Sequence, residues 1–360
     1  MEAETLLNVL TSTVPGDSVL VTDPRFHRAD LLELMLLRAG DAQSCSPEEA
    51  ARLAGLAIEI AERLHDDPET AHSTFVRACC LTANSFRLAG QLGLANDALR
   101  KCVSALDPLP GRDEYLRALF CRALALVRWE QGRLDEALTL LRQAWRLFGG
   151  DRSEQITCSL LLCLLHDEMG LPEKVFASVS PHLGEWFEPS CRPWLTSRAM
   201  LTFAAATPET RLIALIAVEQ GVRFQGFVAD TQEQLRLFAL EGKARARLGF
   251  FDEAEQMIDA VRRQHLADRR LFELTLSSLD LLAQRIAAGE RTGVAALSAD
   301  IESLHDLPSA RADLALVAID RFAFSLTRPA CPWTSQRSAA TWYIQAHRLQ
   351  GPPPPPLPFA

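Results

Sequence analysis

RALFCRALALVRWEQGRLDEALTLLRQAWRLF, residues 117–148, carries two apolar stretches of helical period on either side of Gly132. Leu124 and Ala125 lie on the first stretch; Leu134 enters the second, and Ala137, Leu141 and Ala144 follow at helical spacing. Recurrence every three or four residues puts such side chains on one face of a helix. Glycine permits the backbone reversal between the two helices, and small alanines let the helices approach closely. The stretch therefore predicts an antiparallel helix pair whose marked positions serve packing.

The same pattern recurs in residues 74–104, where Ala83, Phe86, Gly90, Leu92, Ala95 and Leu99 take corresponding places, and in residues 235–264, with Gly242, Gly249, Phe251, Ala254, Ile258 and Val261. Weaker copies surround Gly170 in residues 160–179 and Gly289 in residues 274–301. The turn glycines at 90, 132, 170, 249 and 289 fall at multiples of about 40 residues, a period that marks a solenoid or array. The copy missing from the series falls in residues 194–224, which form two helices divided at Thr207 and Pro208 but lack the expected glycine. Ahead of the first clear unit, residues 29–40 and 46–64 predict a further helical pair that caps the array. Ser46 is expected to be the helix cap of its second member, with Pro47 in the first turn.

Composition narrows the function. The chain has 360 residues, 48% hydrophobic and 23% charged, enough for a large core. Its formal net charge of -9 argues against direct attraction to nucleic acid or anionic lipid, and no basic helix-turn-helix reader is present. Glu2 and Glu4 stand where a secretory leader needs positive charge, and the longest strongly apolar run, near Leu160 to Leu165, is far short of the roughly 20 residues that span a bilayer. A cytoplasmic protein is expected. Nine cysteines are scattered without C-x-x-C units, which fits reduced, buried thiols. Runs of alternating polarity rich in Val, Ile and Thr are almost absent from residues 30–324, so no sheet is expected.

These residues resemble the tetratricopeptide repeat family. The resemblance covers residues 30–325 in spacing and is best in three units. Cys79, Cys121 and Phe238 replace the family's large aromatic early in the first helix, and the units exceed the usual length of about 34 residues. The pattern is most similar to the longer, divergent repeats of bacterial regulatory and signalling proteins. The resemblance implies an all-α solenoid of antiparallel helix-turn-helix repeats in a right-handed superhelix over residues 29–326. An N-terminal segment, 1–28, precedes it, and a proline-rich tail, 327–360, is expected to be disordered. From Pro329 onward the chain holds eight of its twenty prolines, including the run 352–356, so regular helix cannot continue. A short helix at residues 338–349 and then an extended polyproline segment are expected there.

In that family the concave surface, lined by the first helix of each pair, is the docking site. Here it would present Arg77, Asn84 and Arg87, then Arg122 and Trp129, then Arg236, Lys243 and Arg247. Arginines would select an acidic or carboxylate-bearing peptide or helix, and Trp129 would add apolar area. Of the positions at which some family members clamp a terminal carboxylate, only Asn84 has the right residue type, and Ala123 stands where a second Asn is wanted. Trp145, next to Ala144, is assigned to the core between repeats.

Cys158, Cys163, His166 and Asp167 form the one cluster suggestive of metal. Cys163 and His166 share a helix face, but a four-ligand set is not completed. Buried cysteines beside a partly exposed histidine are the better reading. The catalytic signatures G-x-S-x-G, H-E-x-x-H, the phosphate loop and G-x-G-x-x-G do not occur. The sequence thus predicts a protein-binding scaffold within a regulatory system, with no catalysis, metal, cofactor or membrane. The alternative is the sensing component of a transcriptional regulator that acts through an associated DNA-binding protein.

Overall fold

In the computed structural model, residues 3–12, 22–43, 46–106, 114–169, 171–179, 193–206, 211–225, 231–267 and 281 are described, and among them there is no strand. The helices are α1 (Ala3–Ser12), α2 (Ala29–Ala42), α3 (Pro47–Ala61), α4 (Pro68–Leu88), α5 (Leu92–Leu106), α6 (Glu114–Glu130), α7 (Leu134–Leu147), α8 (Arg152–Glu168), α9 (Pro172–Val179), α10 (Pro193–Ala206), α11 (Arg211–Gln225), α12 (Thr231–Arg247) and α13 (Phe251–Ala267). First helices thus begin about 40 residues apart, at 29, 68, 114, 152, 193 and 231. The chain divides after Asp151 into two compact units.

Four of the described helix pairs, α4–α5, α6–α7, α8–α9 and α12–α13, are joined by the same backbone device. Gly90, Gly132 and Gly249 have φ of 75°, 76° and 90°, the left-handed region that favours glycine. The N–H of the next residue then reaches back five places: Gln91 to the Phe86 carbonyl (2.8 Å), Arg133 to Arg128 (2.9 Å) and Phe250 to Arg245 (3.0 Å). The carbonyl of that same residue accepts the first bond of the following helix, from Ala95 (3.1 Å), Ala137 (3.0 Å) and Ala254 (3.1 Å). Leu171 does both at the fourth joint, donating to His166 (2.9 Å) and accepting from Val175 (3.2 Å). Gly170 itself, the unit around Gly289 apart from Leu281, and residues 327–360 with their expected short helix lie outside the described residues.

Small residues then set the spacing within a pair. Ala83 and Ala125, seven places before the turn glycine, and Ala95, Ala137 and Ala254, five places after it, are fully buried. Gly242 replaces alanine at the first of these positions because a Cβ there would stand 2.9 Å from Ile258 Cγ1 and 3.4 Å from the Ala254 carbonyl. Leu99, Leu141 and Ile258 fill the next turn of each second helix, all at or below 3% exposure. Burying one such side chain is worth about 1.5–3 kcal/mol.

In the first unit, α1 packs on α2, and Leu6, Leu7 and Leu10 join Phe26, Leu31, Leu32 and Met35 in one apolar cluster with α3 and α4. Pro47 occupies the first turn of α3 as expected, but Ser46 makes no side-chain cap; its carbonyl accepts from the Ala50 N–H at 3.0 Å and its own N–H donates to the Ala42 carbonyl at 2.8 Å. A side-chain cap does form at the next helix, where the Asp67 carboxylate accepts from the Thr70 N–H at 3.0 Å at the start of α4.

In the second unit, α10 and α11 form the pair that lacks a turn glycine, and residues 207–210 between them lie outside the described set. Their close contact is made by Gly221 on the second helix, where a Cβ would lie 2.8 Å from Leu201 Cγ. Ser197 Oγ donates to the Gly221 carbonyl at 2.7 Å, which satisfies a hydroxyl that is otherwise fully buried.

Candidate functional site

Within the first unit, α2 packs on α4 and α4 on α6, first helix against first helix. Side-chain links cross these seams. Arg77 is ion-paired with Glu33 of α2, one of its two bonds at 3.0 Å. Asn84 Nδ2 donates to Gln43 Oε1 (3.0 Å), just past the end of α2. Arg87 Nη1 donates to Glu130 Oε1 of α6 (2.9 Å) while its Nε donates to Asn84 Oδ1 (2.9 Å). The buried Gln43 completes the chain by donating to the Leu81 carbonyl at 3.0 Å. Partners across these seams are therefore 38 to 44 positions apart in the chain.

These links place Arg77, Asn84 and Arg87 on one face, and they also commit much of their hydrogen-bonding capacity to the seams. Arg87 is 13% exposed in its side chain and Arg77 is 32% exposed. Arg122 is half-buried, its guanidinium 5.3 Å from the centroid of the Phe148 ring, which also meets Tyr115 edge-on at 5.6 Å. That stacking is a favourable cation–π geometry. Trp129 is half-buried on α6, and Trp145 on α7 is half-buried as well, beside the fully buried Ala144. Between the seams lies apolar surface: Leu37 is 62% exposed and Leu88 is 44% exposed, and Leu81 and Leu126 are partly covered.

The second unit repeats the stacking of first helices, α8 on α10 and α10 on α12. Arg236 is exposed and Lys243 half-buried on α12, and the side chain of Arg247, at the end of that helix, lies outside the described ones. Cys163 donates through Sγ to the Ala199 carbonyl at 3.8 Å, across the seam between α8 and α10, and burial pushes its thiol well above the usual range. His166 is 4% exposed, more deeply buried than its polar neighbours suggest, with Nδ1 2.9 Å from Ser178 Oγ of α9. The six described cysteines, Cys79, Cys80, Cys102, Cys121, Cys158 and Cys163, are all free and buried.

A second set of charged residues was not singled out from the sequence. The positions four before and four after the turn glycine face each other across the joint. They hold Arg128 and Glu136, 3.5 Å apart, and Arg245 and Glu253, 2.6 Å apart. Arg128 also donates to Gln131 Oε1 (2.7 Å) and to Asn96 Oδ1 (3.2 Å), which belongs to α5 of the preceding pair. In the pair before, the same two positions are Phe86 and Leu94. The signal was present in the repeat register and emerges once the three glycines are aligned.

Among the described residues no helix is long and apolar enough to cross a membrane. Searches of protein-family models and of curated proteins gave no match. Among solved structures, a Rap protein complexed with Competence and Sporulation Factor is similar, at 11% identity over 88% of this chain and 88% of that one, with a TM-score of 0.59. At that identity the likeness concerns the fold. The chain is an all-α array of packed helix pairs, similar in fold to that Rap protein.

Proposed function

We propose that this chain is a tetratricopeptide-type scaffold that binds a peptide or a helix of another protein on the face formed by α2, α4 and α6. The observation that carries the reading is the set of links Glu33–Arg77, Gln43–Asn84 and Arg87–Glu130, which join successive first helices into one continuous surface. Exposed Leu37 and Leu88 supply apolar area there, and Trp129 and Arg122 supply the residue types most often found at interface hot spots. Arg77 and Arg87 act chiefly as stiffeners of the surface, so ligand selection rests on the apolar strip and on Arg122. Arg236, Lys243 and Arg247 would form a separate basic stretch on α12.

The similar Rap protein was solved with a bound factor, which supports a regulatory role for this chain exercised through binding. The same likeness favours a second reading, in which the repeats sense a factor and pass the signal to an associated DNA-binding protein. Capture of partners from the native cell tests the first reading. Leu37→Glu and Trp129→Ala should each reduce recovery of the specific partner at least ten-fold while leaving helix content unchanged. Undiminished recovery by both variants would remove this face from consideration. Co-capture of a DNA-binding protein whose operator affinity changes with occupancy would select the second reading.

A further inference from the structure

The joint between the first two helix pairs differs from the joint that follows it. In the later joint, Arg128 of α6 extends to Asn96 near the start of α5 and fills the space between the pairs with its guanidinium. At the corresponding place in the earlier joint Phe86 of α4 and Ala51 near the start of α3 line one surface, and among the described residues no cation equivalent to Arg128 fills it. It is an open depression of about 270 Å³, lined by Pro47, Ala51, Phe86 and Ala89 together with Glu48, Arg52 and Gln91. Leu94, standing where the later joint has Glu136, is 48% exposed. An apolar notch has replaced a polar lock.

Pockets that hold drug-sized ligands run about 300–1,000 Å³. This one suits a pair of side-chain rings laid against an aromatic face. Pro-rich segments dock in aromatic-lined grooves in this way, because their backbone is already extended and loses little entropy on binding. Proline also lacks an N–H, so a polyproline strand offers carbonyl acceptors only and asks its site for donors. The exposed Gln91 amide in the lining is such a donor.

The chain itself supplies a matching segment. Residues 352–360 read PPPPPLPFA, with no charged side chain, and the described helices end at Ala267. Residues 268–351 lie between the two, a contour length on the order of 100 Å even at the helical rise per residue.

We propose that the notch between α3 and α4 seats the chain's own proline-rich C-terminus, residues 352–358. Because α3 is a second helix, this site is distinct from the face of first helices, and its failure would leave that reading untouched. Tethering raises the local concentration of the tail, so a segment of modest intrinsic affinity occupies the notch in the intact chain.

The test uses the full chain, a chain ending at Gly351, and the synthetic peptide GPPPPPLPFA, with binding followed by calorimetric titration. The shortened chain should bind the peptide in a one-to-one, saturable way, and the full chain should bind it at least ten-fold more weakly. Ala51→Arg in the shortened chain, which fills the notch from a half-exposed position, should abolish binding with an unchanged thermal midpoint. Gln91→Ala, at an exposed position, should weaken it and guards against a folding defect in the first variant. Equal binding by the full and shortened chains would mean that the notch serves another protein's proline-rich segment, and would overturn the assignment. No binding by the shortened chain, or unimpaired binding by both variants, would overturn it too.

Discussion

Arg128 and Arg245 occupy the same place in their repeats, four residues before the turn glycine, yet replacement of each by Met should affect stability differently. Arg128 is 4% exposed. Burial, followed by the neighbouring charge of Arg133, pulls its guanidinium below the ordinary value, and Glu136 at 3.5 Å does not restore it. Glu136 is already shared, since it accepts from Arg133 Nε at 2.6 Å. Replacing a buried ion pair by apolar chains of similar volume is often neutral or stabilising by about 1–4 kcal/mol, and Glu136, held by Arg133, is not stranded when Arg128 alone is lost. Loss of the bonds to Gln131 and Asn96 offsets about 1 kcal/mol each. The terms largely cancel, and Arg128→Met should lie within about 2 kcal/mol of the parent in either direction.

For Arg245 burial again opposes the charge, but hydrogen bonds and attraction from Glu241 and Glu253 prevail and hold the guanidinium above its ordinary value. Glu241 is itself 4% exposed. Arg245→Met strands that carboxylate in the interior, and breaking such a pair costs about 3 kcal/mol. At about 2–4 °C per kcal/mol for units of this size, the second unit's melting temperature should fall by about 6–12 °C. Arg128→Met should move the first unit's melting temperature by only a few degrees in either direction. Differential scanning calorimetry of the two variants reads both transitions. If Arg128→Met loses as much as Arg245→Met, the account of Arg128 as an under-compensated buried cation is wrong.

Further outcomes follow from the joints and the caps. Gly90→Ala forces a Cβ into the left-handed region at φ 75°, with open space around it, so strain alone should cost about 1–2 kcal/mol in urea denaturation. Gly242→Ala meets Ile258 Cγ1 at 2.9 Å, and overpacking of about 1–3 kcal/mol should outweigh the gain in helix propensity. Asp67 is held below the usual carboxylate range by its bonds from Thr70, so its contribution to stability is present above the unfolded value and is lost as pH falls through the lower folded one. Asp67→Asn keeps a capping oxygen and should match the parent at neutral pH while losing that acid-dependent component, as a pH series of thermal melts would register. Burial pushes the Cys79 thiol up to about 12, and peptide mapping after brief alkylation of the native protein at pH 8 should find Cys79 and Cys102 unmodified. Rapid labelling of either would contradict their enclosure.

The helix pairs were legible because their determinants are local. A glycine in the left-handed region and alanines at fixed distances from it are set by sterics within some twenty residues, so Gly90, Gly132 and Gly249 could be read without knowing what surrounds them. The pair α10–α11 was found as two helices, but Gly221 was not assigned its role, because the close contact had moved to the second helix, where the repeat register did not look for it. Candidate site residues were less legible for a different reason. Arg77, Asn84 and Arg87 do share a face, but whether a cation there meets solvent or a glutamate depends on residues about 43 positions away. Glu33 and Glu130 carry no local signal that marks them as partners. Arg128 was passed over for the converse reason: an arginine one turn before a helix end reads as a solvated terminus, and only Asn96 in the preceding pair shows that it is enclosed. Ser46 and Asp67 show the same limit at short range: each precedes a proline that opens a helix and each residue type suits a cap, yet only the Asp67 side chain makes one.

The turn between paired helices has one more consequence. The residue after the glycine closes one helix with its N–H and opens the next with its carbonyl, using main-chain atoms alone. Its side chain takes no part, and the position varies freely: it is Gln91, Arg133, Leu171 and Phe250 at the four joints that use the device. A hinge written in main chain cannot be loosened by salt, by a change of pH or by modification of a side chain. The links open to such changes are the side-chain ones, whether between pairs, as Arg77–Glu33 and Arg87–Glu130, or within one, as Arg245–Glu253.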